Sequence, residues 1–232
     1  MRTFSSLCGK IFLPLHSQSY RHMTDKAYLE QLIAKGEHQQ QDFKYKVQDA
    51  VKLARSVSAF ANTEGGRLLI GVRDDGVISG VKSEEEIFMM HAAAYKYCEP
   101  ESAITFETFH VEGRSVVIAT IPPAKQRPVY AIDAEGKKCA YIRIADENIV
   151  ASPVHLEVWR QLQKAQNVME YGTAAQALMT TMREHPDETL NRLARLSHIN
   201  RHTVITLLAR FVRYGLVECV HQDQDFIFRL QE

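Results

Sequence analysis

The pattern of apolar and polar positions over residues 47–79 predicts a helix, a break and a buried strand. Residues 62–66, Asn-Thr-Glu-Gly-Gly, end the helix, because adjacent glycines supply the positive φ of a helix C-terminus and let another backbone approach. The apolar run over residues 68–72 suits a strand buried on both faces, and Asp75-Gly76 predicts a tight turn after it. Apolar residues recur at helical spacing before the break, at Val47, Val51, Ala54, Val57 and Phe60.

Further elements precede and follow this segment, and helices are interleaved with hairpins among them. An α+β fold with a mixed sheet is therefore favoured over a doubly wound parallel sheet. Serine followed by glutamates marks one helix start, because serine caps a helix and acids stabilise its first turn. The additional elements are a helix over residues 25–35, a strand over residues 42–47 with Phe43, Tyr45 and Val47 on one face, a helix from Ser83 to about Cys98, and hairpins over residues 104–121 and 129–144.

A second unit is predicted after a linking helix that begins at Pro153 and runs to about Glu170. Three helices and a two-stranded ribbon follow the link, which is the plan of a winged helix-turn-helix. We expect the first domain at residues 23–156, the link at residues 157–172 and the second domain at residues 173–232. The apolar stripe of the link is Val154, Val158, Leu162 and Ala165; the later helices are expected at residues 174–184, 190–196 and 201–214, and the strands at residues 216–220 and 226–230.

Composition agrees with a globular chain of one or two domains. The 232 residues are 45% hydrophobic and 24% charged, with a formal net charge of zero. A zero net charge argues against a uniformly basic surface and is compatible with a local basic patch. No Cys-x-x-Cys pair occurs, so we interpret the cysteines as thiols of a reducing compartment and expect a cytoplasmic protein. The cysteines are Cys8, Cys98, Cys139 and Cys219.

Residues 1–22 have the composition of a transit peptide, with no acidic residue, several serines and three basic residues. The alternative is that Met23 is the true start, because Thr24-Asp25 directly after it is a good helix start. We favour the second interpretation. The apolar piece at residues 11–15 is too short for a membrane span, so we expect no membrane association.

Several segments together resemble the Schlafen-type AlbA domain, a family assigned to nucleic-acid binding. The longest is AFANTEGGRLLIGVRDDGVISGV, residues 59–81, which resembles the family signature. Residues 36–44 resemble its opening motif, an acid, four residues, an acid, Phe and Lys, and residues 128–130 and 141–143 resemble its closing strands. The resemblance covers roughly residues 24–155, and it implies nucleic-acid binding by analogy.

The resemblance also implies a catalytic site. In the Schlafen nucleases, two carboxylates spaced like Glu37 and Asp42 join a third to hold a divalent metal for RNA cleavage. Asp74 matches the third position, with Asp75 as the alternative, so these residues would bind Mg²⁺ or Mn²⁺. A five-residue offset places two side chains on opposite faces of a strand, so only a loop over residues 36–40 can bring the first two together. We favour the alternative that Glu37 and Asp42 are solvated or fold-stabilising charges, and expect a binding protein that requires no cofactor.

Two further groups of residues in the first domain are candidates for phosphate contact. Lys44 and Lys46 flank Tyr45 on the predicted strand, which places both lysines on one face, toward nucleic acid or toward solvent. The glycine corner offers backbone amides to an anion, although a helix C-cap explains its glycines equally well. The residues of the second group are Asn62, Thr63, Gly65, Gly66 and Arg67, and Arg143 is a further basic candidate.

The third helix of the second unit and the segment before it carry the strongest electrostatic signal. Residues 192–213 contain five arginines, two histidines and no carboxylate. Such a run is expected where a helix N-terminus approaches the phosphates of a groove. The residues expected to face the major groove are Arg201, His202, Thr206 and Arg210.

The combined interpretation is a nucleic-acid-binding protein, with DNA favoured over RNA. It would act as a transcriptional regulator or accessory factor, and as a homodimer that matches two half-sites. Two alternatives stay open. One is the metal-dependent ribonuclease, and the other is a protein-interaction module whose second unit never contacts DNA.

Overall fold

A computed structural model describes residues 24–81, 84–164 and 171–231 of the chain. Three predictions fall outside the described residues, namely those for the leader at residues 1–22, for Ser83 as a helix cap and for the linking helix at residues 165–170. Within the described residues the fold is α+β, as the sequence predicts.

The part of the chain before Ser152 contains the two sheets and the helices that pack on them. Its described helices are α1 (Asp25–Ile33), α2 (Ala50–Asn62) and α3 (Glu85–Tyr95). Its described strands are β1 (Gln41–Lys44), β2 (Gly66–Ile70), β3 (Cys98–Glu99), β4 (Thr105–Val111), β5 (Arg114–Ile121), β6 (Tyr130–Ile132), β7 (Lys138–Ile144) and β8 (Glu147–Val150).

These strands form two four-stranded sheets. The first has the order β1-β2-β5-β4 and is mixed, because β1 and β2 are parallel while the other neighbours are antiparallel. The second has the order β3-β6-β7-β8 and is antiparallel. The parallel register places Asp42 beside Leu68, so the opening strand lies along the buried strand of the signature segment.

Helix α2 packs against both sheets and forms the centre of the main core. Asp49 caps its N-terminus by accepting from the backbone N–H groups of Val51 and Lys52. Its Val57 and Phe60 are fully buried, as the helical spacing predicts. The polar residue Asn62 is also buried, because a helix enclosed by two sheets leaves little of its surface to water.

The rest of the chain begins with a helix that packs against the units on both sides of it. The described elements are α4 (Pro153–Leu162), α5 (Thr173–Glu184), β9 (Glu188–Thr189), α6 (Leu190–Leu196), α7 (Arg201–Arg213), β10 (Val217–Gln222) and β11 (Asp225–Leu230). The strands form an antiparallel sheet in the order β10-β11-β9. The predicted three helices and ribbon are therefore present, and Asn200 caps α7 through the N–H of Thr203.

Strand β1 is shorter than predicted, and this changes where the side chains of the residues after it lie. It ends at Lys44, so Tyr45 is exposed. Phe43 and Val47 lie in separate core clusters and do not share a strand face with Tyr45. The predicted alternation over residues 42–47 is therefore wrong beyond Lys44.

Helix α4 also differs from its prediction. It ends at Leu162, which is exposed, whereas Trp159 and Gln161 are buried. Of the predicted stripe, Val154 and Val158 pack in the core and Leu162 does not, while Ala165 lies outside the described residues. None of the helices within the described ranges is long and apolar enough to cross a membrane.

Candidate functional site

A four-residue turn brings Glu37 and Asp42 together. The N–H of His38 donates to the carbonyl of Gln41 at 2.9 Å, and the N–H of Gln41 donates back at 3.0 Å. Glu37 Oε1 then accepts from the N–H of Phe43 at 2.8 Å. The carboxyl groups of Glu37 and Asp42 are hydrogen-bonded to each other. The turn thus brings together two side chains that a regular strand would place on opposite faces.

Two cations hold the carboxylate of Asp42 in the protein interior. Lys44 Nζ lies 2.7 Å from Asp42 Oδ2, and Arg143 Nη2 lies 3.5 Å from Oδ1. Arg143 is only 2% exposed; it donates to Asn148 Oδ1 at 3.0 Å and lies over the ring of Phe60. Asp42 is therefore a buried, paired group and not a solvated charge. Arg143 supports this cluster and is not exposed for nucleic-acid contact.

The two carboxyl groups share a proton near neutral pH. The hydrogen bond to Asp42, reinforced by burial, raises the pKa of Glu37 to about 7. Burial opposes ionisation of Asp42, but the hydrogen bond from Glu37 and the charges of Lys44 and Arg143 outweigh it and lower the pKa of Asp42. Protonated Glu37 therefore donates to the Asp42 carboxylate, an arrangement that can exchange a proton at neutral pH.

The described residues do not provide the ligand set of a divalent metal. Both carboxylate oxygens of Asp42 lie next to cations. Within the described ranges, no three His, Cys, Asp or Glu residues are grouped so that they could hold a metal ion. Asp74 does not join the pair; it lies in the turn at residues 73–76, where Asp75 pairs with Arg73 at 3.3 Å. Because Mg²⁺ and Mn²⁺ need several oxygen ligands, these residues do not fit the implied metal site.

Asn62, a candidate for anion binding, uses its side chain in hydrogen bonds within the fold. Its Nδ2 donates to the carbonyls of Val129 and Tyr141 at 2.8 and 2.9 Å. Its Oδ1 accepts from the N–H of Val129 at 2.8 Å. The next residue, Thr63, donates its hydroxyl to the carbonyl of Ala59. Both side chains therefore tie α2 to its surroundings and do not face a ligand.

The glycine corner is closed by packing and does not form an open anion site. The N–H groups of Thr63 and Gly65 both donate to the carbonyl of Phe60, which confirms the helix-cap interpretation. Gly65 has a φ of +75°, and a side chain there would lie 2.8 Å from the carbonyl oxygen of Ile121. The N–H of Arg67 donates to the carbonyl of Gln40, in the turn between Glu37 and Asp42, so these amides already have acceptors.

Replacing Gly66 with alanine is expected to lower the free energy of unfolding by about 2–3 kcal/mol, because the new methyl group overlaps the buried ring of Phe60. Urea unfolding measures the change. Gly172→Ala is the control, since nothing lies within 4 Å of a side chain there, and its cost should stay below about 1 kcal/mol. Equal costs for the two variants would show that the Phe60 contact is not the cause.

The two lysines around Tyr45 do not share a strand face. Lys44 turns toward Asp42, whereas Lys46 follows the end of β1 and lies over the exposed ring of Tyr45 at 5.1 Å. Of this pair, Lys46 is exposed and Lys44 is partly buried. Arg67 is also partly buried. Burial lowers the pKa of His38, which lies in the turn between Glu37 and Asp42, and the positive charge of Arg67 lowers it further.

The turn between α6 and α7 presents a row of exposed basic residues. Arg201 donates from Nε to Asn191 Oδ1 at 2.9 Å, which orients its guanidinium at the start of α7. Arg192 is paired with Glu188 at 2.8 Å. The exposed basic residues, named here the basic turn, are Arg192, Arg195, His198, Arg201 and His202.

Helix α4 covers one side of α7. Gln161 Nε2 donates to the carbonyl of Thr206 at 3.1 Å, and the hydroxyl of Thr206 donates to the carbonyl of His202. Glu157 of α4 lies within electrostatic range of His202. The side chains of Thr206 and Arg210 are partly buried. Of the four residues expected to face a groove, Arg201 and His202 at the N-terminal end of α7 are the exposed ones.

Sequence reasoning missed the contacts that join the ribbon to α4. Phe226 of β11 packs edge-on against His155 at 4.9 Å between ring centroids, and Trp159 lies in the same region. His155 completes a capping box, since Ser152 Oγ accepts from its backbone N–H and its Nδ1 accepts from the N–H of Ser152. The spacing Ser152-x-x-His155 is the sequence signal for this cap. Burial lowers the pKa of His155 to about 4.

Comparison with known families gives a match in the first part of the chain. A family model described as Schlafen, AlbA_2 matches residues 37–152, half of the chain. No curated protein matches the chain.

Two solved structures are similar at low sequence identity. The DIP2311 protein from Corynebacterium diphtheriae is 18% identical over 87% of this chain, with a TM-score of 0.45, and the match spans 42% of that protein. The N-terminal domain of a protein from Nitrosomonas europaea, described as related to the ATP-dependent DNA helicase RecG, is 20% identical. That match covers 64% of this chain and 96% of the domain, with a TM-score of 0.38.

Proposed function

The chain belongs to the Schlafen AlbA_2 family, and we propose from this membership that it binds nucleic acid. We further propose that α5, α6, α7 and the β10–β11 ribbon form a winged helix-turn-helix that contacts duplex DNA. The order of these elements supports the proposal. The protein would then act as a transcriptional regulator or an accessory factor on DNA.

The observation that carries the DNA proposal is the charge of the basic turn. Residues 192–213 contain five arginines and no carboxylate, and the exposed ones lie on α6 and at the start of α7. Arginines that neutralise phosphates release the counterions condensed on DNA, which favours binding most strongly at low salt. Arg195 and Arg201 are the strongest candidates, because Arg192 is already paired with Glu188.

The surroundings of the basic turn favour contact with phosphates over contact with bases. Helix α4 lies beside Thr206, where a recognition helix would need an open flank to enter the major groove. The tip of the ribbon carries Asp223 and Asp225, both exposed, and these would repel a phosphate backbone. We therefore propose binding that depends on charge and discriminates weakly between sequences.

Two further parts of the proposal concern the first unit and the assembly. Exposed Lys46 and partly buried Arg67 would add contacts to the nucleic-acid backbone. A homodimer would present two basic turns to one duplex, which increases the number of phosphates contacted. DNA is preferred over RNA because helix-turn-helix units are shaped for B-form grooves.

The double variant Arg195→Ala/Arg201→Ala is expected to weaken binding of a short labelled DNA duplex about tenfold or more at low salt. The slope of log K against log salt should fall by about 2, about 1 for each lost phosphate contact. Fluorescence anisotropy over a salt series measures both quantities. Arg183→Ala is the matched control, because Arg183 is an exposed arginine on α5, outside the basic turn, and its loss should change neither quantity.

An unchanged affinity and slope in the double variant would contradict the DNA proposal and favour the protein-interaction alternative. Tighter binding of an RNA duplex than of the DNA duplex would reverse the proposed preference. The same reactions with Mn²⁺ test the ribonuclease alternative. The convergence of Glu37 and Asp42 favours it, and the lack of a third ligand among the described residues opposes it. RNA cleavage that needs Mn²⁺ and disappears in Glu37→Gln would establish that alternative.

A further inference from the structure

A groove of about 610 Å³ runs between the edge of the second sheet and the C-terminal unit. Strand β8 forms one wall along its whole length, together with the start of α4. The opposite wall consists of the first residues of α6 and α7 and of the ribbon, with Leu190, Arg201, Phe226 and Phe228 among its residues. The residues that line the groove do not include Glu37 or Asp42. Arg201 is the one residue of the basic turn among them.

The wall formed by β8 has free backbone hydrogen-bonding groups. β8 is the last strand of its sheet, and no other described strand pairs with its outer edge. The N–H of Ala151 donates to Ala140 across the β7–β8 ladder, and in an antiparallel pair the inward and outward groups alternate. The N–H and C=O groups of Asn148 and Val150 therefore point away from β7. Val150 is 52% exposed.

The size of the groove matches an extended polypeptide. Strands lie about 4.8 Å apart, sheets about 10 Å apart, and each residue rises about 3.4 Å, so an extended residue occupies roughly 160 Å³. A groove of 610 Å³ then holds about four residues, which is the length of β8. A strand that adds here satisfies edge groups that otherwise bind only water.

The charges of the walls favour a peptide over a nucleic acid. The lining has one arginine, Arg201, against two carboxylates, Glu147 and Asp225. A polyanionic backbone gains little from such a surface, whereas alternating amide donors and acceptors match the edge of β8. We propose that the groove binds an extended segment of a partner protein, which adds to β8 as a further strand and places apolar side chains against Leu190 and Phe226.

This inference goes beyond nucleic-acid binding and does not depend on it. A displayed library of random heptapeptides, selected on the full-length protein, provides the probe, and the enriched peptide is then synthesised with a fluorescent label. Val150→Pro removes an outward N–H that the fold does not use, at an edge position where proline is tolerated. Val150→Thr is the matched control, because it alters the side chain and keeps the N–H.

The enriched peptide should bind Val150→Pro about tenfold more weakly than the parent protein, the loss expected for one backbone hydrogen bond. Val150→Thr should stay within about threefold of the parent. Hydrogen exchange gives an independent measurement in the unaltered protein, where the peptide should slow exchange of the Val150 amide. Failure to enrich any peptide, or enriched peptides that bind Val150→Pro as well as the parent and leave the Val150 amide unprotected, would overturn the proposal.

Discussion

Replacing Arg143 with alanine is expected to lower the free energy of unfolding by about 3–5 kcal/mol. The guanidinium is fully enclosed, and it contacts the carboxylate of Asp42, the amide oxygen of Asn148 and the ring of Phe60. Its removal leaves the buried carboxylate of Asp42 with only Lys44 as a cation, and a buried charge that loses a partner costs far more than an exposed one. Urea unfolding monitored by circular dichroism measures the change.

Arg229→Ala is the matched control for this prediction. Arg229 also contacts a carboxylate, through Nε and Nη2 to Asp187 at 2.7 and 2.9 Å, but both side chains are exposed to water. Water replaces an exposed pair at little cost, so this variant should lose far less stability than Arg143→Ala. A similar loss in the two variants would mean that burial of Arg143 is not what makes its ion pair important.

Most of the fold could be predicted because its elements have strong local signals. Helix α7 runs from Arg201 to Arg213, close to the predicted residues 201–214, and its capping asparagine and buried Leu208 and Phe211 are such signals. The hairpin of β4 and β5 is marked by the turn Glu112-Gly113 between two apolar runs. Strands β3, β8 and β9 were missed, because two to four residues without alternation become strands only through their partners.

The carboxylate pair shows what local patterns cannot predict. The five-residue offset between Glu37 and Asp42 is readable, but their meeting depends on a turn closed by His38 and Gln41. Arg143 reaches this site from β7, a separation of about a hundred residues along the chain. Arg143 and Tyr141 lie two residues apart on a strand, so the sequence shows that both side chains lie on the same face of the sheet. The sequence does not show that α2 and β1 enclose that face.

Helix α4 gives a similar lesson for the face that we propose to contact DNA. Its sequence shows an apolar stripe, and Leu162 was assigned to that stripe because of its type. In the structure Leu162 is exposed, and Gln161 is buried where it donates to Thr206. The outward face of α7 was predicted from its own periodicity, which carries no information about another helix that packs on it.

Acidification is expected to destabilise the protein through His155 by up to about 3 kcal/mol as the pH falls from 6.5 to about 4. An unfolded chain protonates this imidazole near pH 6.5, whereas burial in the folded protein lowers its pKa to about 4. Between these values only the unfolded chain takes up the proton, so protons favour unfolding. The contribution is complete above pH 6.5 and is lost on acidification.

The variant His155→Gln isolates this effect, because glutamine at the same position of a capping box can still accept from the N–H of Ser152 but does not titrate. The comparison is needed because Glu37 acts in the opposite direction. Its raised pKa contributes stability that is complete below about 4.5 and is lost as the pH rises through about 7. Both proteins contain Glu37, so the difference between their free energies of unfolding reports His155 alone. That difference should shrink by up to about 3 kcal/mol between pH 6.5 and 4. A difference that stays constant would show that His155 is accessible to protons in the folded protein.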